Sequence, residues 1–323
     1  MSITIRDTIT AKIIIPSSCV IPIAVKIESK ENTVDAKKRD LNKFLDFFTT
    51  ELGTDQIDYW TVSITKEFQK RLAKNKSYKT GKPYRTTTIN RIFATMKHCG
   101  RWIEKQRAFK AGNPFVGIQD LVEDEPEWKG VTDRQLMLLR GACDQRLSIC
   151  IRKDQNPFLE VAIFYTLLHT GLRESELCNL DALQYFESGF HEVQRKGRMI
   201  TKKVFLPTEA RDRLEIYLKN RGLDEEKQYL PLLTSRTGNR IAPRDVQRVC
   251  ERLSRQACVQ LPEKEKFTLT PHQLRHTFLK RVTDKHGIHR AKKLSGNIGI
   301  RELFRYSQPS SKEIEENVEC LYE

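Results

Sequence analysis

The N-terminal third of the chain carries apolar residues at helical spacing. A first amphipathic segment begins near Thr33, a second follows Ser63, and a third covers about residues 86–108. Apolar positions in these segments recur three or four residues apart, which is the period of a helix with one buried face. The pattern predicts a small all-helical bundle over residues 30–111. In the first and third segments the apolar face is formed by Leu41, Phe44, Leu45, Phe48, Ile89, Phe93, Met96 and Ile103.

Helix-breaking residues and a change of charge separate this bundle from the rest of the chain. Residues 112–130 contain five glycines and prolines and are acidic from Asp120 to Glu127, so we expect a linker there. Residues 1–29 are rich in isoleucine and valine but lack the features of a secretion signal. We expect them to form an extended N-terminal arm, and residues 131–323 to form a second domain.

The second domain is predicted to be mostly helical with one antiparallel hairpin. Thr132 is expected to cap a helix together with Gln135, three residues further on. A strongly apolar helix is expected to end at Gly171, because glycine is common just after a helix. Residues 190–206 predict a strand, a turn at residues 196–198 and a second strand. The predicted fold class is therefore mainly α with a small antiparallel β-sheet.

The charge of the chain narrows its possible partners. The formal net charge is +15, which favours a polyanion, either nucleic acid or an anionic membrane. Between Lys66 and Lys110, fourteen basic residues accompany only two acidic ones, and DNA phosphates would neutralise them. No run of 18 apolar residues occurs, so we expect no membrane span. The predicted DNA-binding residues are Lys70, Arg71, Lys74, Lys76, Lys79, Lys82, Arg85 and Arg91.

The eight cysteines form no metal-binding or disulfide pattern. None are spaced as a CxxC pair, and they are scattered through apolar helical segments. We expect buried free thiols, a reducing cytoplasmic location and no metal site. The cysteines are Cys19, Cys99, Cys143, Cys150, Cys178, Cys250, Cys258 and Cys320.

Two segments carry residues suited to phosphate chemistry. Arg173 opens a helix, and Glu176 follows on the same face, a spacing that is also common in ordinary surface ion pairs. A second helix is expected to start just before His272, which places His272 and Arg275 in its first turn. Free backbone N–H groups at that end favour a bound phosphate. His272 and His276 have a spacing that can bind a metal, but no third ligand is evident.

The order of these residues resembles that of the tyrosine recombinase, or phage integrase, family, including its Xer-like members. The resemblance covers nearly all of the chain from about residue 30. It implies a helical core-binding domain that contacts DNA, followed by a catalytic domain with a C-terminal tail. In chain order the matching residues are Arg173, Glu176, Lys196, His272, Arg275 and Tyr306, the last of them thirty-one residues after the second arginine.

The resemblance implies a role for each of these residues. Tyr306 is expected to attack the scissile phosphate and form a 3′-phosphotyrosyl link, with Tyr322 as a rival nucleophile. Arg173 and Arg275 are expected to hold the non-bridging oxygens, since fixed guanidiniums stabilise the charge that develops there. His272 is expected to act as a general base toward the tyrosine or as a phosphate ligand.

Leaving-group chemistry and support of the site involve further positions. Lys196, in the hairpin turn, is expected to protonate the departing 5′-oxygen, with Lys202 and Lys203 as runners-up. Glu176 matches the acidic position that supports the site in the family. Asn297 stands where the family usually has histidine or tryptophan, and its amide can donate a hydrogen bond to phosphate but cannot carry a proton charge.

The sequence thus predicts a site-specific DNA recombinase that cleaves and rejoins DNA without a cofactor. The expected partner is a double-stranded recombination site, bound by a tetramer, with a partner recombinase possible. A topoisomerase of type IB shares the same residue types and is one alternative. A DNA-binding relative with impaired catalysis is the other, and the asparagine at residue 297 is its only support.

Overall fold

The computed structural model divides into two compact units, one before and one after residue 125. The part of the chain that it describes contains no helix long and apolar enough to span a membrane. The predicted N-terminal arm lies outside the described residues. Those residues are 31–74, 81–106, 108–123, 130–149, 156–195, 199–221, 231–296, 303 and 318–320.

The first unit is built on three mutually packed helices. Aromatic side chains from these helices and from the connection at Trp60 fill its core. The ring of Phe44 lies 4.6 Å from Trp60 and 5.2 Å from Phe68, and Trp60 donates its indole N–H to Thr65 over 2.9 Å. The predicted apolar face is confirmed, because each of its residues is buried except Leu41, which is partly buried. The helices are α1 (Glu31–Leu52), α2 (Val62–Lys74) and α3 (Thr86–Gln106).

In the described part of the second unit, four helices pack around one apolar helix. The central helix, α5, packs against α4, α7, α8 and α9, and most of its residues are buried. The strongly apolar composition of α5 follows from this position, because a helix with most of its surface buried has no broad polar face. The helices are α4 (Asp133–Ile149), α5 (Pro157–Thr170), α6 (Glu174–Cys178), α7 (Thr208–Arg221), α8 (Pro243–Ala257), α9 (Pro271–His286) and α10 (Ile288–Ser295).

A three-stranded antiparallel sheet lies between α6 and α7 in the chain. Its order is β1-β2-β3, formed by Tyr185–Phe186, Gly189–Gln194 and Ile200–Phe205. The predicted hairpin is confirmed as β2 and β3, with Gln194 opposite Ile200. The two-residue strand β1 was not predicted, because two residues are too few to show an alternating pattern. The fold class is mainly α with a small antiparallel sheet, as the sequence indicates.

The predicted helix ends are confirmed by hydrogen bonds. At the start of α4, the Thr132 backbone N–H donates to the Gln135 side chain over 3.1 Å, and the Gln135 backbone N–H donates back to the Thr132 hydroxyl over 3.3 Å. Thr270 and Gln273 make the same reciprocal pair at the start of α9. Gly171 ends α5 with a φ of +59°, a left-handed conformation that favours glycine.

Burial is confirmed for five of the eight cysteines and is wrong for one. Cys320 is exposed, as are the two residues before it. Burial raises the pKa of the Cys178 and Cys250 thiols to about 12, which disfavours the reactive thiolate. Cys19 and Cys150 lie outside the described residues. The other buried thiols are Cys99, Cys143 and Cys258.

Candidate active site

A cavity in the second unit brings three of the predicted catalytic residues together. It has a volume of about 510 Å³ and is lined by Arg173, His272 and Arg275. Arg173 comes from the start of α6, and the other two come from the first turn of α9. Gln247 of α8 also lines the cavity and donates a hydrogen bond from its amide to the Glu174 carboxylate over 3.1 Å. Residues from distant parts of the sequence therefore surround one space.

Arg173 is held by the side chain that follows it at i+3. The Glu176 carboxylate accepts the Arg173 guanidinium over 2.7 Å and the Arg173 backbone N–H over 3.0 Å. The turn before it is fixed as well, since Gly171 is left-handed and Leu172 is fully buried. The Arg173 side chain keeps 25% of its surface exposed, so part of it faces the cavity.

Arg275 connects the ends of two other helices from a buried position. Its side chain is among the largest buried ones of the molecule, with 1% of the residue exposed. One guanidinium nitrogen donates to the Gly171 carbonyl at the end of α5, and the other donates to the Ser295 carbonyl at the end of α10 over 2.8 Å. A buried arginine with fixed donors needs little reorganisation when negative charge develops beside it.

His272 lies one turn before Arg275 and is exposed to solvent. Its ring meets the ring of His276 edge to face, with centroids 4.4 Å apart. Since α9 begins at Pro271, His272 and Arg275 lie near the positive end of its helix dipole, which favours an anion in the cavity. No group of three or more metal-ligating side chains occurs in the described part of the chain, so His272 and His276 have no third ligand there.

Glu176 is shared by Arg173 and by a second arginine that the sequence analysis did not identify. Arg195 donates to the Glu176 carboxylate over 2.8 Å, and the two side chains are 1% and 4% exposed. Burial by itself raises the pKa of Glu176, but the Arg173 backbone N–H and the Arg195 guanidinium outweigh it and hold that pKa below its ordinary value. The strand period could have revealed Arg195, since it lies two residues after the buried Val193 and faces the same side.

Three predicted catalytic residues lie outside the described residues: Lys196, Asn297 and Tyr306, as does the rival Tyr322. The residues next to them in the chain are described. Arg195 and Met199, which are joined by a backbone hydrogen bond, precede and follow residues 196–198, and Gly296 precedes Asn297. Leu303, three residues before Tyr306, is fully buried beside Leu279 and Ala291.

The runner-up lysines project from β3. Lys202 is exposed, and Lys203 is partly buried. The Lys203 ammonium lies 3.5 Å from the Glu187 carboxylate and 5.3 Å from the centre of the Phe205 ring. Neither lysine lines the cavity that contains Arg173 and Arg275.

The predicted DNA-binding residues of the first unit differ in their surroundings. Arg71 pairs with Glu51, and Arg91 pairs with the buried Asp40, so both charges already have a partner within the unit. Lys76 and Lys79 lie outside the described residues. The remaining four are exposed: Lys70, Lys74, Lys82 and Arg85.

Comparison with known proteins points to one family. Residues 135–312 match the model of the phage integrase family. The tyrosine recombinase XerA of Pyrococcus furiosus is 29% identical over 161 residues, which cover 49% of this chain and 52% of that protein. The tyrosine recombinase XerS of Streptococcus equi subsp. zooepidemicus is 27% identical over 251 residues, which cover 74% and 64%. The chain thus spans less than two thirds of the length of either relative.

A solved structure shares the fold over almost the full length of both chains. The integrase of transposon Tn1549, in a complex with transposon right-end DNA, is 20% identical to this chain and has a TM-score of 0.68. The superposition covers 99% of this chain and all of that one. At this low identity the likeness concerns the arrangement of helices and the small sheet.

Proposed function

Since the chain belongs to the phage integrase family, we propose that it is a site-specific DNA recombinase. It cleaves and rejoins DNA through a covalent 3′-phosphotyrosyl intermediate. The observation that carries the proposal is the convergence of Arg173, His272 and Arg275 on one cavity. Two fixed guanidiniums beside a helix N-terminus suit a phosphodiester, whose transition state gains negative charge on its non-bridging oxygens.

In the proposed reaction, Tyr306 is the nucleophile. Its hydroxyl oxygen bonds to phosphorus, the bond from phosphorus to the 5′-oxygen breaks, and the phosphate stays on the tyrosine. A free phenol has a pKa of about 10, so the attack needs a cationic environment and a base, here His272. Arg173 and Arg275 hold the two non-bridging oxygens. The covalent link keeps the phosphodiester energy, so the rejoining step needs no other energy source.

The leaving 5′-oxygen needs a proton, and Lys196 supplies it. An alkoxide leaves poorly without a positioned general acid, and such an acid contributes about 10²- to 10⁴-fold to the rate. Asn297 donates a hydrogen bond to the phosphate in the place of the usual histidine or tryptophan. Its amide gives less support to the transition state than a charged imidazole because it carries no charge.

The substrate in this proposal is a double-stranded recombination site. The basic face of the first unit supports DNA binding, since exposed lysines and arginines release counterions when they meet phosphates. The Tn1549 integrase structure is a complex with transposon right-end DNA, which supports the same class of partner. Two pairs of protomers act on two sites, so the active assembly is a tetramer on DNA, with or without a second recombinase.

The experiment that tests the proposal traps the intermediate. A nicked duplex carrying the recombination site loses its short 5′-terminal fragment after cleavage, so rejoining is blocked and the protein stays attached. We expect a covalent adduct with the wild type and none with Tyr306→Phe, while DNA binding stays within about threefold. Tyr322→Phe is the matched control and should form the adduct normally.

The outcomes of this experiment separate the proposal from its alternatives. An adduct in Tyr306→Phe that disappears in Tyr322→Phe moves the nucleophile to residue 322. No adduct in the wild type, despite tight DNA binding, indicates a relative without catalysis. A plasmid that carries two sites distinguishes the remaining cases, because exchange of segments identifies a recombinase and relaxation alone identifies a topoisomerase.

A further inference from the structure

Arg195 is fixed by both its backbone and its side chain. Its guanidinium donates to the Glu176 carboxylate over 2.8 Å and to the Thr201 hydroxyl over 3.0 Å. Its backbone N–H donates to the carbonyl of Met199 over 2.6 Å, which closes the hairpin. With 1% of its side chain exposed, this arginine is part of the interior and not of the solvent-facing surface.

The end of β2 is tied through Arg195 to the cavity. Three residues separate Arg195 from Met199, and the first of them is Lys196. One carboxylate oxygen of Glu176 accepts a hydrogen bond from the Arg195 guanidinium, and the other accepts one from the guanidinium of Arg173. One carboxylate thus connects an arginine that lines the cavity with the residue that directly precedes Lys196.

The end of α10 packs against the same guanidinium. Gly296 has a φ of +59°, and a Cβ built on it would lie 2.6 Å from Nε of Arg195. The residue before it, Ser295, accepts a hydrogen bond from Arg275, and the residue after it is Asn297. The backbone therefore approaches Arg195 as closely as only glycine permits.

We infer that Arg195 is a positioning residue for Lys196, which directly follows it in the chain, in the proton transfer to the leaving 5′-oxygen. The inference rests on the proposed function, in which Lys196 transfers a proton to that oxygen as its bond to phosphorus breaks. Arg195 acts through Lys196 and not on the phosphate, because its guanidinium is buried against Glu176, Thr201 and Gly296. A lysine on a flexible four-carbon stem depends on such an anchor for its precision.

A sulfur substitution in the DNA tests this role. Replacing the scissile 5′-oxygen with sulfur removes the need for a proton, because a thiol has a pKa of about 8.5 and leaves as the thiolate. With ordinary DNA, we expect Arg195→Ala to slow single-turnover cleavage by about 10²-fold or more. With the sulfur-containing DNA, the rate of Arg195→Ala should return to within about tenfold of the wild-type rate.

A double variant tests whether Arg195 acts through the lysine. Lys196→Ala should show the same rescue by sulfur. On ordinary DNA, Arg195→Ala combined with Lys196→Ala should be no more than about threefold slower than Lys196→Ala alone, since a positioning residue has nothing left to position. Independent roles would instead multiply the two losses.

The chain offers a matched control for a general loss of stability. Arg146 pairs with the buried Glu160 over 2.9 Å in a partly buried ion pair of the same unit, and neither residue lines the cavity. Arg146→Ala should leave the ratio of the sulfur to the oxygen rate at its wild-type value. If Arg195→Ala does not fold, Arg195→Lys takes its place, because lysine keeps the charge near Glu176 but lacks the fork that also reaches Thr201.

Two results would overturn the inference. One is an equal loss of rate on both substrates, which would indicate a general structural role. The other is cleavage of ordinary DNA by Arg195→Ala at the wild-type rate. Failure of the proposed function looks different from both, because the wild type would then form no covalent adduct on either substrate.

Discussion

Glu176 joins Arg173, which lines the cavity, to the buried Arg195. It is 4% exposed, and its two oxygens are bonded to two arginines that lie 22 residues apart in the chain. A buried ion pair contributes little net stability compared with apolar residues of the same size. Removing one partner is costly, however, because the other charge is left in a medium that cannot solvate it.

We predict that Glu176→Gln lowers the free energy of unfolding by about 3 kcal/mol at pH 7. The wild type should also lose stability in acid in a way that the variant does not. Since the pKa of Glu176 lies below its ordinary value of 4.5, the ionised carboxylate stabilises the fold above that pH. This stabilisation is lost as the pH falls through the lowered pKa. Urea denaturation at a series of pH values measures both effects.

The control for this prediction is an ion pair on the surface. Arg134 and Glu265 lie 2.8 Å apart with 69% and 35% of their side chains exposed. Solvent screens such a pair, so Glu265→Gln should change the free energy of unfolding by less than about 1 kcal/mol. Stability curves of wild type and Glu176→Gln that run parallel from pH 7 to pH 3 would contradict the assignment.

Residue types and spacing predicted some of the residues at and around the cavity but not all of them. The i, i+3 spacing places Arg173 beside Glu176, and the capping pattern places His272 and Arg275 in one turn. Spacing along a helix says nothing about burial, so the depth of Glu176 could not be predicted. Arg195 directly follows β2, outside these motifs, and its partner Glu176 lies 19 residues earlier in the chain, so their pairing is known only from the folded structure.

Helices with capping residues were the most predictable elements, because a cap is a local interaction. The bonds between Thr270 and Gln273 join residues three apart and need no tertiary contact to be inferred. The strand β1 was missed for the opposite reason, since its two residues are defined only by pairing with β2. Gly171 was predictable only in part. Its place at the end of a helix depends on neighbouring residues, but its close packing depends on residues that are distant in the chain.

We predict that Gly171→Ala destabilises the second unit by about 3 kcal/mol. The left-handed backbone costs an alanine about 1–2 kcal/mol, and the new methyl would lie 2.3 Å from the Phe278 ring. Overpacking of this kind costs about 1–3 kcal/mol. Gly238 is a matched control, because its φ is +80° and nothing lies within 4 Å of a Cβ there.

Thermal and urea denaturation of the two variants separate the cost of the left-handed backbone from the cost of overpacking. Gly238→Ala should lose only the backbone cost of about 1–2 kcal/mol. Equal losses in the two variants would mean that Phe278 moves aside freely. In that case the junction of α5 and α9 would be less tightly packed than the contacts indicate.

The two units of the molecule differ in the evidence that links them to DNA recombination. The family match begins at residue 135 and therefore falls entirely within the second unit. The role proposed for the first unit rests on its excess of basic residues. Its basic residues are not equivalent, since some are neutralised within the unit and others face solvent. This difference leads to a prediction about the binding of DNA.

We predict that exposed lysines of α2 determine the salt dependence of DNA binding, and that Arg71 does not. Each phosphate contact contributes about 0.9 to the slope of log K against log salt concentration, so Lys70→Ala combined with Lys74→Ala should reduce the slope by about 2. Arg71→Ala should change it by much less, because that charge already pairs with Glu51. Affinity for a duplex of unrelated sequence, measured at several salt concentrations, gives the slopes. A slope that the double variant leaves unchanged would remove this face of the first unit from the DNA contact.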